Sequence, residues 1–181
     1  IEYIKNPGSN TVSYNAIGNV IIKDSLRTAT CGLAIYNYTT EETQLEIKPK
    51  IIDDKRALYG KKIIMRYEQK KLKNIYIPQN AQASTITEGY KRTKDDTTQI
   101  ELKSEFNDDM TSTSLEGFFD DGILDSLRLS GMATTVYHLF EDSLYKGKNV
   151  TSGDTIIMNF KEKEINNIIV NGGSQGKYTP D

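Results

Sequence analysis

Apolar and polar residues alternate along most of this chain, with a period of two rather than the spacing of a helix. Such alternation is typical of β-strands that bury one face, and Val, Ile, Thr and Tyr, which favour strands, are abundant. No window of about eleven or more residues carries a convincing helical stripe. The pattern therefore predicts an all-β fold.

A unit of two alternating strands joined by a polar turn occurs three times. The first copy spans Gly60–Ile77, and the third spans Gly153–Val170 at an offset of 93 positions. A looser middle copy, Leu115–Leu129, fits an offset of 52. Because one hairpin alone cannot bury its apolar face, we expect the three units to stack side by side.

In the first and third copies the larger apolar residues fall on one side of the strand. They are Ile63, Met65, Tyr67, Ile156, Met158 and Phe160. A stripe of this kind suits the inner surface of a roll or sandwich, and a packed core is the default interpretation. The same stripe is also suited to lining a lipid groove, so the pattern leaves both roles open.

Turn-forming residues punctuate the strands. We predict turns at Asn6–Gly8, Asp53–Asp54, Asp95–Asp96, Asn107–Asp109 and Asp120–Gly122, unbroken strands at Thr43–Ile52 and Ala57–Tyr67, and a polar surface loop at Thr87–Thr98. The repeat continues across this loop, so we expect one domain over residues 1–181. Neither end carries a terminal feature, which leaves open whether the domain is a fragment of a longer chain.

Composition excludes several classes of function. The chain has 23 basic and 25 acidic residues and a net charge of −2, without the concentrated positive charge of a nucleic-acid surface. No apolar run reaches the ~18 residues of a membrane-spanning helix. Cys31 is the only cysteine, so no internal disulfide can form, and we predict that it is a small buried strand residue.

The sequence offers little for catalysis. His138 is the only histidine, which excludes a histidine-rich metal site, and no Gly-x-Ser-x-Gly turn accompanies it. Acidic pairs such as Asp120–Asp121 lie where hairpin turns are needed and lack the spacing of a calcium loop. We therefore predict a binding or scaffolding protein rather than an enzyme, with no cofactor and no metal.

Three segments of the chain, Gly18–Asn37, Leu58–Ile63 and Ser152–Ile156, resemble the OstA-like (LptA-like) family. Residues Gly18–Asn37 contain a Gly-Asn-Val strand followed by a strand that ends in an apolar-x-Tyr-Asn turn. Leu58–Ile63 and Ser152–Ile156 are similar to two further strands of the family unit, and the similarity runs from about Asn19 to Tyr178. The motifs are short, but together they cover nearly the whole chain.

The family includes the lipopolysaccharide-transport proteins of the Gram-negative periplasm, so the resemblance implies a β-jellyroll with an apolar interior that carries acyl chains towards the outer membrane. It also implies pairing with other transport components, or head-to-tail with further copies, through unpaired edge strands. The lipid-binding groove that we predict comprises Leu33, Ile35, Ile63, Met65, Tyr67, Ile75, Ile77, Leu127, Leu129, Ile156, Met158, Phe160, Ile168 and Val170.

Near a rim of such a groove, Lys61, Lys62 and Arg66 would be placed to pair with lipid phosphates, although a solvated strand face is the simpler explanation of each. Two other functions remain open. One is a structural β-repeat of a secreted or surface protein with a closed core. The other is a carbohydrate-binding or carbohydrate-acting β-sandwich that uses the tyrosines as platforms and Asp120 and Asp121 as catalysts.

Overall fold

Most of the alternating pattern forms strands in the structure, a computed structural model that describes residues 2–5, 12–24, 26–95, 98–162 and 164–181, without the side chains of residues 2–5, 93–95, 98–99 and 164. The described residues form fifteen strands and no helix, which confirms the all-β prediction. In chain order they are β1 (Glu2–Lys5), β2 (Val12–Lys23), β3 (Arg27–Asn37), β4 (Glu42–Glu46), β5 (Lys50–Asp53), β6 (Arg56–Tyr59), β7 (Lys62–Glu68), β8 (Lys71–Ile77), β9 (Ala81–Asp95), β10 (Thr98–Ser112), β11 (Ser114–Asp120), β12 (Ile123–Glu141), β13 (Leu144–Lys161), β14 (Glu164–Asn171) and β15 (Gln175–Pro180).

Hydrogen bonding joins these strands into one sheet that closes into a ring. From β3 the pairings run through β4, β7, β8, β11, β12, β10, β9, β6 and β5, and β5 pairs with β3 again. Every pairing in this ring is antiparallel. Closure satisfies the backbone groups that an open sheet would leave at its edges. The result is a β-jellyroll-like fold, as the resemblance implied.

The sheet folds into two layers because three of its longer strands, β3, β12 and β13, contribute to both. The first layer contains β4, β7, β8, β11 and β14, with residues 33–37 of β3, 123–130 of β12 and 155–161 of β13. The second layer contains β5, β6, β9, β10 and β15, with residues 27–30 of β3, 134–136 of β12 and 147–152 of β13. The chain passes between the layers at corners.

The three sequence repeats are three neighbouring hairpins of the first layer: β7–β8, β11–β12 and β13–β14. Each hairpin contains a register shift, the mark of a β-bulge, directly before an aromatic residue. The aromatic residues, Tyr67, Phe119 and Phe160, are separated by the same offsets of 52 and 93 as the sequence repeat. The repeat therefore specifies a local irregularity as well as the alternation.

The same backbone hydrogen bond occurs beside each of the three hairpins. It joins the residue just before the first arm of the hairpin to a residue just after its second arm. The donor and acceptor pairs are Lys61 N to Gln79 O at 3.2 Å, Thr113 N to Gly131 O at 2.8 Å, and Asp154 N to Gly172 O at 2.8 Å. Each corner thus holds the two layers together at one side of the roll.

The core lies between the layers, and most of its fully buried side chains come from strands of the first layer. The largest side chains with at most 1% exposure are Leu45, Ile51, Ile63, Ile75, Ile77, Leu115, Leu129, Thr135, Ile156 and Met158. Each large apolar member of this set contributes about 1.5–3 kcal/mol through removal from water. Cys31 is buried, as predicted.

Several predicted boundaries are wrong. The predicted strand Thr43–Ile52 is two strands, because the backbone turns at Ile47 and Lys48, both of which have positive φ. Ala57–Tyr67 likewise divides, with β6 ending at Tyr59 and β7 beginning at Lys62. In both places the alternation of apolar and polar residues continues across a corner of the chain. The period of two therefore does not show where one strand ends and the next begins.

The predicted loop Thr87–Thr98 is also mostly strand. It forms the end of a long β9–β10 hairpin, whose polar strands are joined by full backbone pairing and by the ion pair between Glu88 and Lys103 at 2.6 Å. A second ion pair, also at 2.6 Å, joins Glu88 to Lys55 of the β5–β6 turn. Residues 96 and 97, and with them part of the predicted turn Asp95–Asp96, lie outside the described residues, as does Asn6–Gly8.

Among the remaining predicted turns, Asp53–Asp54 and Asp120–Gly122 are confirmed at the ends of β5 and β11. Asn107–Asp109 is wrong, because these residues continue β10. There the Asp108 carboxylate is bonded to the neighbouring strand β12 rather than to its own backbone.

Candidate ligand-binding site between the two layers

Twelve of the fourteen predicted groove residues face the interior. Eight are buried: Ile63, Met65, Ile75, Ile77, Leu127, Leu129, Ile156 and Met158. Four are partly buried and pack against the core: Tyr67, Phe160, Ile168 and Val170. The antiparallel register explains this common face, because directly opposed residues point to the same side of a sheet.

The predicted inward positions of Leu33 and Ile35 are wrong. They lie opposite Glu46 and Gln44 on the outer face, while Ala34 between them pairs with the buried Leu45. The physical reason is a change of face within β3 around Gly32, whose N–H donates to the corner carbonyl of residue 47 at 2.8 Å. A shift of one residue moves every later side chain to the opposite face.

The interior opens along the side where the hairpin turns of both layers end, which we call the mouth. Residues 53–56 of the second layer and residues 119, 124 and 127 of the first line one cavity there, with a volume of about 370 Å³. The apolar side chains of this first cavity include Leu58, Ile75, Met110, Phe119, Leu127 and Phe160. It lies at the lower end of the size range of small-molecule sites.

A second cavity of about 320 Å³ opens beside the first. Its apolar lining includes Ile22, Ala29, Met65, Tyr67 and Leu72. The two cavities share Arg27 and Ile51 in their walls. The interior near the mouth is thus divided into two compartments.

The repeat places one aromatic residue per hairpin at the mouth. Tyr67 lines the second cavity, and Phe119 and Phe160 line the first. Burial raises the pKa of Tyr67, and its hydroxyl lies 3.7 Å from the sulfur of Met65. Phe119 was not among the predicted residues, although the middle repeat aligns it with Tyr67 at the offset of 52.

Arg27 is the buried cation of this region, with its side chain only 6% exposed. Its Nε is 3.2 Å from Asp53 Oδ2, and its Nη2 donates to the carbonyl of Gly122. Its guanidinium carbon also lies 4.9 Å from the centre of the Phe119 ring. Sequence reasoning missed Arg27, although the period of two in β3 puts it on the face of Ala29 and Cys31.

The charged rim of the first cavity includes Lys55, Arg56 and Asp108. Asp108 Oδ1 lies 2.7 Å from His138 Nδ1 and accepts a 2.8 Å hydrogen bond from the His138 backbone N–H. Burial raises the pKa of Asp108, and these bonds to His138 oppose the rise. His138 is thus a polar residue in β12, as predicted.

The acidic pair of the β11–β12 turn is engaged in ion pairs. Asp121 lies 2.7 Å from Lys71, and Asp120 lies 3.8 Å from Lys73. The hydrogen bond from Lys71 lowers the pKa of Asp121, which disfavours its use as a general acid. Within the described part of the chain, no three or more His, Cys, Asp or Glu side chains gather in a way that could hold a metal ion.

Two of the cations expected at a groove rim lie elsewhere. Lys62 pairs with Glu46 at 3.1 Å and Arg66 with Glu42 at 3.2 Å, both on the outer face of the first layer. The solvated strand face is therefore the correct account of these two residues. The cations that line the cavities at the mouth are Arg27, Lys55, Arg56, Lys70 and Lys71.

Comparison with known proteins leaves the family open: no protein-family profile matches the chain, and no curated protein is significantly similar to it. The described residues include no helix that could cross a membrane. The fold and the cavities define a β-jellyroll-like protein with an apolar, divided interior.

Proposed function

We propose that this protein binds lipopolysaccharide or a related lipid without catalysis, and that it holds the acyl chains between its two layers during transport across the periplasm to the outer membrane. The observation that carries the proposal is the pair of apolar cavities at the mouth. They open beside the inner face that the repeats create, and charged side chains surround their entrance.

Hydrocarbon burial supplies enough free energy for such binding. Each methylene removed from water contributes about 0.8 kcal/mol, so a few carbons in a preformed apolar cavity give useful affinity without specific contacts. Phe119, Phe160 and Tyr67 add polarizable surface along the mouth. The cations Lys55 and Arg56 at the rim of the first cavity are suited to phosphate groups of a lipid head.

The proposal includes association through strand edges. β1 and β14 stand at the two ends of the strand order, outside the closed ring. Edge strands readily accept a strand from another chain, so head-to-tail association of copies, or pairing with other lipopolysaccharide-transport components, would extend the apolar interior. Sedimentation velocity over a range of protein concentrations tests the first of these, and a purely monomeric protein at all concentrations would contradict it.

One observation favours a structural role instead. Ile63, Leu129, Ile156 and Met158 are 0% exposed, so the part of the interior away from the mouth is filled by the protein's own side chains. A structural β-repeat with a closed core needs no more than this. Lipid binding and a structural role differ in what they predict for the mouth. A lipid-binding protein needs an accessible mouth, whereas a structural repeat does not.

Site-specific photo-crosslinking tests the proposal. A photoreactive phenylalanine analogue replaces Phe160, which lines the first cavity, and in a matched variant replaces Phe118, which is 38% exposed. Phe118 directly precedes the inward-facing Phe119. On irradiation with lipopolysaccharide, we expect a crosslinked product at position 160 and little at position 118.

The control separates specific uptake from surface adsorption. Equal crosslinking at both positions would indicate adsorption to the outside, and no crosslinking at position 160 would contradict lipid binding in the cavity. In the second case the structural repeat becomes the better account. The same two variants, tested with simple phospholipid, show whether the interior distinguishes lipopolysaccharide from other lipids.

A further inference from the structure

Arg27 occupies an unusual place for a charged side chain. It is buried between two apolar cavities and contributes to the wall of each. Asp24 fixes its backbone, since Asp24 Oδ1 accepts hydrogen bonds from the N–H groups of Leu26 at 2.7 Å and Arg27 at 2.6 Å. These two bonds fix the backbone from which the Arg27 side chain reaches the boundary between the compartments.

The contacts of Arg27 fall into two groups. Its partners on the β2–β3 side and in the second layer are carboxylates: Asp53 at 3.2 Å from Nε, and Asp24 at 3.9 Å from Nη1. Its partners in the first layer are the Gly122 carbonyl and the Phe119 ring. The guanidinium thus spans the mouth. Both carboxylates that balance its charge lie on one side of it, and its partners in the first layer are uncharged.

Because the two groups of contacts differ, Arg27 can leave the first layer while it remains paired with a carboxylate. Release from the first layer breaks one charge-assisted hydrogen bond and one cation–π contact, while the pairing with Asp53 remains. Asp53 has a further cation, Arg56 Nη2 at 3.6 Å, so displacement of Arg27 does not leave that carboxylate unpaired. A buried ion pair that keeps its charges compensated in this way can rearrange without the large penalty of an isolated buried charge.

We propose that Arg27 sets the length of hydrocarbon that the interior accepts, an inference that rests on the proposed lipid binding. With Arg27 across the mouth, a chain that enters the first cavity meets a charged, hydrogen-bonded group at the wall that this cavity shares with the second. A methylene chain cannot form a hydrogen bond with the guanidinium, so contact between the two is unfavourable. When Arg27 is removed or displaced, the two cavities join, and a longer chain lies across both.

The test compares chain-length profiles of binding. The wild-type protein and the variants Arg27→Gln and Arg66→Gln are titrated with single-chain phospholipids whose acyl chains run from about eight to about sixteen carbons. Displacement of a fluorescent fatty acid reports the affinity. Arg66 is the matched control because it also contacts a carboxylate, an amide and an aromatic ring, namely Glu42 at 3.2 Å, Asn74 at 3.0 Å and the Tyr76 ring at 5.8 Å, but none of these contacts crosses the mouth.

For the wild type and Arg66→Gln we expect affinity to rise with chain length and then to level off once one compartment is filled. For Arg27→Gln we expect the rise to continue, by up to about fourfold per added methylene. Equal profiles for the wild type and Arg27→Gln would overturn the role of Arg27 and leave the proposed lipid binding intact. Failure of all three proteins to bind any chain would instead overturn the proposed function, and this inference with it.

A second variant covers the case in which Arg27→Gln does not fold. Asp53→Asn removes the charge on the Nε partner, retains Arg27 and its bond to Gly122, and loosens the crossing. We expect its profile to level off at a longer chain than that of the wild type, and an unchanged profile would again count against the proposal.

Discussion

At the residue scale, the position of each side chain follows from the face of the strand on which it lies. Ile63 pairs with Leu45 on the inner face and is 0% exposed, whereas Ile21 on β2 is 62% exposed. The two residues are chemically identical and both belong to regular strands. They therefore form a direct comparison of what burial in this core contributes.

Replacement of Ile63 by Ala is expected to lower the free energy of unfolding by about 2–5 kcal/mol, because it removes buried methyl groups and leaves a cavity. Ile21→Ala is expected to change it by at most about 0.5 kcal/mol. Chemical denaturation of the two variants measures both values. A small effect of Ile63→Ala would mean that the first layer is not packed as described.

At the element scale, the three hairpins and their corners act as copies of one design. The bulge before the aromatic residue turns the hairpin end towards the mouth, and the corner hydrogen bond fixes the opposite end. Glycine is required at only some of these positions. Gly131, at the corner of the middle copy, has a φ of +79°, and a Cβ there would lie 2.6 Å from the hydroxyl oxygen of Thr113.

Gly122 provides the matched control for this corner. It has the same φ of +79°, but a Cβ would meet no atom within 4 Å. Gly122→Ala should cost about 1–2 kcal/mol of backbone strain. Gly131→Ala should cost about 1–3 kcal/mol more, because the added methyl group also clashes with Thr113. Thermal and denaturant unfolding measure the difference, and equal losses in the two variants would contradict the close corner contact.

The β9–β10 hairpin is joined to the β5–β6 turn by charge. The hydrogen bonds from Lys103 and Lys55 lower the pKa of Glu88 from its ordinary 4.5 to about 2. A carboxyl group whose pKa is lower in the folded state stabilises that state above its unfolded pKa, and the stabilisation is lost as the pH falls through its folded pKa.

The stability advantage of the wild type over Glu88→Gln should therefore be present above about pH 4.5 and disappear as the pH falls to about 2. Melting temperatures of the two proteins across this range measure it. The advantage should be small and should shrink at high salt, because the group is exposed and screened. A difference that does not depend on pH would show that charge is not its source.

At the scale of the whole molecule, Cys31 is buried because the ring of strands is closed. Cys31 lies opposite Val20 of β2, between the parts of β3 that pair with β5 and β4, and it is 8% exposed. The strands around it must therefore separate before a reagent reaches the thiol. Burial also raises the pKa of the thiol, which lowers the fraction of reactive thiolate.

Labelling of Cys31 by a thiol-specific reagent should therefore be slow in native buffer and should accelerate with denaturant as the ring opens. An Ile21→Cys variant in a Cys31→Ala background provides an exposed thiol on the neighbouring strand, and it should react at the rate of a free thiol. Rapid native labelling of Cys31 would contradict its placement in the closed core.

The sequence alone determined the local features of this protein. The period of two predicted the strands, and the repeat predicted which faces of Ile63, Met65, Ile156 and Met158 point together, because a strand alternates faces and cross-strand partners share one. The predicted turn at Asp120–Gly122 followed from the chemistry of short polar residues. These features depend only on residues close to one another in the chain.

Only the tertiary structure decided the features that depend on distant segments. The corner at Ile47 and Lys48 and the change of face at Gly32 leave the alternation almost intact, so the inward positions that we predict for Leu33 and Ile35 are wrong. Arg27 meets Gly122 across 95 positions of sequence, and no local pattern reports such a contact. The period of two fixes which residues share a face, but closure of the ring fixes which faces meet and where the space between them remains open.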